Sequence, residues 1–130
     1  METEPSYLFT YGTLMKRFDN PFAIRLKNAS TYLDEGHFPG LLYQVSWYPG
    51  AVYQSGLEQR VYGEIYQLTD AANLLIELDD YEDVRTEESQ SLYLRKIVTV
   101  TLTDLSTLPC WIYLYNQPVE GLRQIAGGKF

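Results

Sequence analysis

The acids in the run Leu74-Leu75-Ile76-Glu77-Leu78-Asp79-Asp80-Tyr81-Glu82-Asp83 are not equivalent. At about 100° per residue, Ala71, Leu74, Leu75, Leu78 and Tyr81 gather into one apolar face of a helix. Glu77 and Asp80 project to the opposite side, where solvated charges belong, and Asp79 falls at the edge of the apolar face. Glu82 follows Leu78 by four residues and Leu75 by seven, so a helix that reaches it aims a carboxylate at the core. A buried, unpaired carboxylate responds by raising its pKa. The negative end of the helix macrodipole pushes in the same direction. A glutamate made more basic in this way suits general acid/base work. If the helix stops at Tyr81, Glu82 is instead an exposed loop acid, and the residues alone leave both readings open.

A second segment, Tyr11-Gly12-Thr13-Leu14, ends the first strand pattern. Glycine after an aromatic strand, then a small hydroxyl residue, permits a sharp turn with exposed backbone N–H groups. Such turns hold anions or carbonyl oxygens without a charged side chain. An ordinary strand-ending turn would read the same way.

Other chemistries find little support. There is one cysteine, Cys110, and one histidine, His37, too few for an internal disulfide or a zinc site between them. Cys110 lies in the apolar stretch Leu108–Tyr115 and reads as a buried small hydrophobe, and nothing in the sequence pairs it with His37 as a nucleophile. His37, between Gly36 and Phe38-Pro39-Gly40, reads as a loop residue. No phosphate-binding Walker loop, dinucleotide glycine fingerprint, serine nucleophile elbow or zinc-protease helix is present. No cofactor or metal is expected.

The elements that must position these residues form an α+β pattern. Tyr7–Tyr11 reads as a strand. Asn20 is a good N-cap and Pro21 a good first residue for a helix over Pro21–Asn28. Phe38-Pro39-Gly40 and Tyr48-Pro49-Gly50 read as turns flanking Leu41–Val45, with Ala51-Val52-Tyr53 following. Arg60–Leu68 alternates, with Val61 and Ile65 on one face and Tyr62 and Tyr66 on the other. A helix spans roughly Asp70–Glu82, and Leu92–Leu102 is a long strand with Leu94, Val98, Val100 and Leu102 on one face. Cys110–Tyr115 is the last strand, before a tail ending Gly127-Gly128-Lys129-Phe130. The fold expected is a small mixed, mostly antiparallel β-barrel flanked by two main helices, with residues 1–130 as one domain. The twelve tyrosines suit either sheet packing or a pocket lining.

Composition narrows the partners. Ten basic residues against seventeen acidic ones give a net charge of −7, which works against a nucleic-acid partner. No apolar run approaches the ~20 residues that span a bilayer. The acidic start Met1-Glu2-Thr3-Glu4-Pro5 is unlike a signal peptide, so a cytoplasmic protein is expected. The sequence sets no oligomeric state.

Taken in order, these stations resemble the γ-glutamylcyclotransferase-like superfamily, in the small AIG2-like and γ-glutamylamine cyclotransferase branch. They are Tyr11-Gly12-Thr13-Leu14, Asn20, Phe38-Pro39-Gly40-Leu41, Tyr48-Pro49-Gly50-Ala51, Val61-Tyr62-Gly63-Glu64-Ile65-Tyr66, Leu78-Asp79-Asp80-Tyr81-Glu82, Tyr93-Leu94-Arg95 and Gly127-Gly128. The resemblance implies a barrel with a cavity at one end and Glu82 as the catalytic acid/base. It places the γ-glutamyl group on Tyr11, Gly12, Thr13 and Leu14, with Tyr93 lining the site and Tyr115 a further candidate. Many members carry glycine after the catalytic glutamate. Here Asp83 stands there, with Glu87 and Glu88 following, and a second acid so near would raise Glu82 further or change the amine accepted. The implied reaction closes a γ-glutamyl compound to 5-oxoproline, with no metal, and releases an amine that contacts Trp47–Tyr53 and Val84–Ser91. The alternatives are a binding module that holds a small carboxylated ligand, and a structural domain whose tyrosines fill the cavity.

Overall fold

The computed structural model describes residues 6–130, so the acidic start Met1–Pro5 lies outside the described residues. Its strands are β1 (Tyr7–Thr10), β2 (Ser30–Gln44), β3 (Pro49–Tyr53), β4 (Arg60–Leu68), β5 (Tyr93–Leu102), β6 (Thr107–Tyr115) and β7 (Arg123–Gln124). The helices are α1 (Pro21–Asn28) and α2 (Ala71–Tyr81), with single 3-10 turns at Glu88–Gln90 and Ala126–Gly128.

Strands β2, β4, β1, β6 and β5 neighbour one another in that order. Pairing of Gly36 with Leu102 and His37 with Thr101 returns β5 to β2 and closes a barrel. All its pairings are antiparallel except β1 with β6, which run parallel at Leu8 and Trp111. The mixed barrel with two flanking helices is the fold expected. Beyond the barrel, the far end of β2 pairs with β3 and β7.

Alternation along the strands serves two cores. Phe9, Val61, Ile65, Val98, Val100, Cys110 and Ile112 fill the barrel. Leu8, Leu26, Tyr66, Leu68, Leu74, Leu75, Leu78 and Trp111 pack between its wall and the helices. On β4, Val61 and Ile65 therefore point inward. Tyr66 is buried under the helix layer, whereas Tyr62, on the same side, is 36% exposed because that layer ends before it.

Two expectations are corrected. Phe38-Pro39-Gly40 is no turn: β2 runs through it as one strand of 15 residues. Pro39 is the last β2 residue paired with β4, and Gly40 the first paired with β3. Pro-Gly marks a change of partner, where a missing N–H does least harm to a ladder. A Cβ on Gly40 would also lie 2.2 Å from the Val52 carbonyl oxygen. His37 consequently lies in the strand, opposite Tyr62, with the two rings 5.5 Å apart.

Asn20 caps α1 as expected, its Oδ1 accepting from the Phe22 and Ala23 N–H groups at 3.1 and 2.9 Å. Among the described residues no helix is long and apolar enough to cross a membrane.

Candidate active site

Glu82 sits where α2 ends. Its N–H still bonds the Leu78 carbonyl at 2.9 Å, so the residue keeps helical register beside the buried Leu75 and Leu78. The next two residues stop the helix. Asp83 N–H bonds Asp80 O at 3.2 Å and Val84 N–H bonds Asp79 O at 2.9 Å, with Asp83 at φ +57°. This pair of bonds is a Schellman ending, whose left-handed residue is commonly glycine.

Glu82 is half-buried and lines a cavity of about 660 Å³, mouth included. Burial raises its pKa to about 8 and is the only cause of that shift. The expected push from Asp83 is absent: its carboxylate turns outward to Arg85 Nη2 at 2.7 Å. The carboxylate of Glu82 also raises the phenol pKa values of Tyr11, Tyr81, Tyr93 and Tyr113, in each case after burial as the larger cause.

The turn after β1 lines the same cavity, through Tyr11, Gly12, Thr13 and Leu14. Four ties hold this turn. Met15 N–H bonds Gly12 O at 3.1 Å, and Asn20 Nδ2 donates to Thr13 O at 2.8 Å. Thr13 Oγ1 and the Tyr81 hydroxyl lie 2.7 Å apart, and the Lys16 N–H donates to Glu64 Oε1 at 2.7 Å. Within the described residues no acceptor takes up the Thr13 and Leu14 N–H groups. A fixed turn with unoccupied N–H donors can hold a carboxylate or a developing oxyanion.

The tyrosine hydroxyls are largely committed to the framework. Tyr11 donates to Tyr113 O at 2.5 Å and accepts from Ala51 N–H at 3.1 Å, while Tyr93 donates to Pro49 O. Both rings line the cavity, so their contribution there is shape. Tyr115 lies outside the lining, edge-on behind Tyr93 at 5.7 Å. A Cβ on Gly50 would come within 2.7 Å of the Tyr115 ring, which shows how closely that backing is packed.

Tyr81, Leu92 and Tyr113, for which the sequence suggests no site role, complete the wall with Thr10 and Phe9. Tyr81 directly precedes Glu82, and its ring stacks on Phe22 at 4.5 Å. Of the two segments expected to meet a leaving group, Trp47, Tyr48 and Pro49 line the cavity. None of Val84–Ser91 does, because the Ser91 hydroxyl accepts the Arg85 N–H and folds that loop upon itself. Asp79 was placed only at the edge of the apolar face. It accepts Arg95 Nε and Nη2 at 2.7 and 3.1 Å and the Tyr113 hydroxyl at 2.7 Å, clamping α2 to β5 and β6.

Cys110 lies inside the barrel, away from the cavity lining, and burial pushes its thiol up to about 12. A thiol so held is not a nucleophile at neutral pH. Among the described residues no three His, Cys, Asp or Glu side chains gather as a metal ligand set.

The sequence model of γ-glutamyl cyclotransferase, AIG2-like, matches residues 8–130. The chain belongs to that family. YtfP from Escherichia coli K12, a γ-glutamylcyclotransferase family protein, is 31% identical over 95% of this chain and 94% of its own length. The protein of that name in Citrobacter rodentium is 35% identical over 95% and 93% of the two lengths. Among solved structures, an AIG2-like protein from Mus musculus covers 96% of this chain and 87% of its own. That pair has a TM-score of 0.71 at 23% identity, a likeness of fold. The resemblance carried by the motifs is thus a family membership, and the AIG2-like barrel is its common architecture.

Proposed function

We propose that this AIG2-like protein cyclises γ-glutamyl amides to 5-oxoproline and releases the amine. One observation carries the reading. A carboxyl whose pKa burial raises to about 8 shares a cavity with a turn whose Thr13 and Leu14 N–H groups have no acceptor among the described residues.

The substrate supplies its own nucleophile. Its α-amine attacks the γ-carbonyl carbon, a C–N bond closes the five-membered ring, and the carbonyl oxygen takes the displaced electron pair. The oxyanion then re-forms the carbonyl and expels the amine, with no water consumed. Glu82 accepts the proton lost by the α-ammonium and passes one to the departing nitrogen. The Thr13 and Leu14 N–H groups hold the charged oxygen or the substrate carboxylate. Tyr11, Tyr93 and Tyr113 shape the chamber that keeps the chain folded for attack, and such orientation can reach effective molarities of about 10⁵–10⁸ M.

The reading is tested by incubating the protein with γ-glutamyl amides and following products by mass spectrometry. Cyclisation gives 5-oxoproline and amine in equal amounts, whereas hydrolysis gives glutamate. Binding without either product would favour a ligand-holding module of the same fold.

A further inference from the structure

Ring closure asks two parts of the site to act together. The turn after β1 must hold an oxygen of the substrate while Glu82 moves protons at its nitrogens, so the gap between the two parts has to be fixed. They reach the cavity from distant stretches of the chain, one just after β1 and the other at the end of α2. Among the described residues one hydrogen bond joins the Gly12–Leu14 turn to α2, between Thr13 Oγ1 and the Tyr81 hydroxyl, 2.7 Å apart. Tyr81 directly precedes Glu82, so a movement of one carries the other.

That bond belongs to a closed circuit. Asn20 Nδ2 donates to Thr13 O at 2.8 Å, while Asn20 Oδ1 accepts the Phe22 and Ala23 N–H groups at 3.1 and 2.9 Å. The turn is thereby fastened to the start of α1. The Phe22 ring stacks on Tyr81 at 4.5 Å, with 29° between the planes. From Tyr81 the hydroxyl returns to Thr13, so α1, the turn and α2 each hold the other two. Arg25 and Glu77 also join the two helices, at 2.9 Å, but both side chains are exposed and such a pair contributes little. Tyr11 and Tyr93 donate instead to backbone carbonyls of β6 and β3, which fixes the cavity wall. Tyr81 directs its hydroxyl to the turn itself. Burial raises its phenol pKa, outweighing the lowering by the Thr13 bond, and the Glu82 carboxylate raises it further. The hydroxyl therefore stays protonated at neutral and mildly alkaline pH, and the link with it.

We infer that Tyr81 is a positioning residue: its bond to Thr13 and its stack on Phe22 set the gap between the donor turn and Glu82. The effect on rate rests on the cyclisation reading, whereas the mechanical link does not.

A double-mutant cycle tests the assignment. Tyr81→Phe keeps the ring and its stack but removes the hydroxyl. Thr13→Val keeps the turn N–H and the branched shape but removes Oγ1. Each should lower kcat for 5-oxoproline formation by about tenfold, with KM within about threefold of native. The double variant should be no slower than the slower single, because both changes remove the same link. Thr13→Ser keeps a hydroxyl and should stay within about threefold of native in kcat. Rates are read well below the Tm of each variant, where lost stability alone leaves them unmoved. Losses that multiply in the double variant, native kcat in Tyr81→Phe, or a loss confined to KM would each overturn the inference. If the native protein forms no 5-oxoproline, the cyclisation reading fails and amide hydrogen exchange decides the link. Exchange at Met15 and Glu82, each hydrogen-bonded beside the circuit, should rise in Tyr81→Phe by about threefold or more relative to the β4 amides. Exchange unchanged at either position would overturn it.

Discussion

At pH 7 a carboxyl with a pKa of about 8 keeps its proton in roughly nine molecules of ten, so the unliganded protein holds Glu82 mostly as the acid. A general base must first be ionised. On this account kcat/KM rises with pH and levels off above about 8. A bound α-ammonium beside Glu82 favours the carboxylate, so the same limb in kcat falls at lower pH. Initial rates across pH 5–10, at limiting and at saturating substrate, check both limbs; superimposed limbs would count against contact between the two groups. Stability gives a second readout. The folded state binds this proton more tightly than the unfolded chain, so the contribution of Glu82 to stability falls as pH rises from 4.5 to about 8. Glu82→Gln should therefore equal the native protein near pH 4 and exceed it by about 1–2 kcal/mol at pH 9, a margin kept modest by the open cavity. Urea unfolding at the two pH values measures it. The spacing from Leu75 and Leu78 offered a core-facing Glu82 but left an exposed one open, because a helical face follows from residue type while the point at which the helix ends does not. The outward turn of Asp83 was not legible, because it depends on a backbone angle.

The ending of α2 decides where that carboxyl points. Asp83 occupies a left-handed conformation at φ +57°, tolerable for aspartate and costly for a β-branched residue. Asp83→Gly should be neutral or stabilising by up to about 1 kcal/mol, since the exposed ion pair with Arg85 contributes little. Asp83→Val should cost about 1–2 kcal/mol and lower kcat more than it changes KM, because the cap that aims Glu82 is strained. Thermal unfolding and steady-state kinetics of the two variants separate these effects. The helices themselves were plain in the sequence, down to the Asn20 cap of α1. The middle of β2 was misread because Pro-Gly chemistry is common to a reversal and to a strand that changes partners. Only the positions of β3 and β4 tell the two apart.

Across the molecule, the cavity lies where the barrel's inner core meets the layer under the helices. Phe9 and Tyr11 reach it from the first, and Leu14, Tyr93 and Tyr113 from the second. The lining comes from the turn after β1, the β2–β3 turn, the end of α2, the start of β5 and the middle of β6. Motif stations fall in four of these stretches in the sequence, all but β6. Tyr113 and the Asp79–Arg95 clamp were not visible, since the pairing of β6 with both β1 and β5 brings them in. The tyrosines do not fill the cavity beside Glu82, as the structural-domain alternative requires, because the Tyr11 and Tyr93 hydroxyls are tied back into the walls. A cavity of this kind should be stabilised by its occupant. 5-Oxoproline at one hundred times its Kd should add about 2.7 kcal/mol and raise Tm accordingly, as a thermal shift series would read.

The most direct test is a comparison of native protein with Glu82→Gln at pH 8, using one accepted γ-glutamyl amide. Single-turnover formation of 5-oxoproline would be followed by mass spectrometry, with 5-oxoproline affinity measured beside it by calorimetry. Proton transfer through Glu82 predicts a rate lower by about 10²–10⁴-fold and an affinity changed by less than about threefold. A variant that closes the ring at the native rate would contradict the assignment of Glu82 as the acid/base.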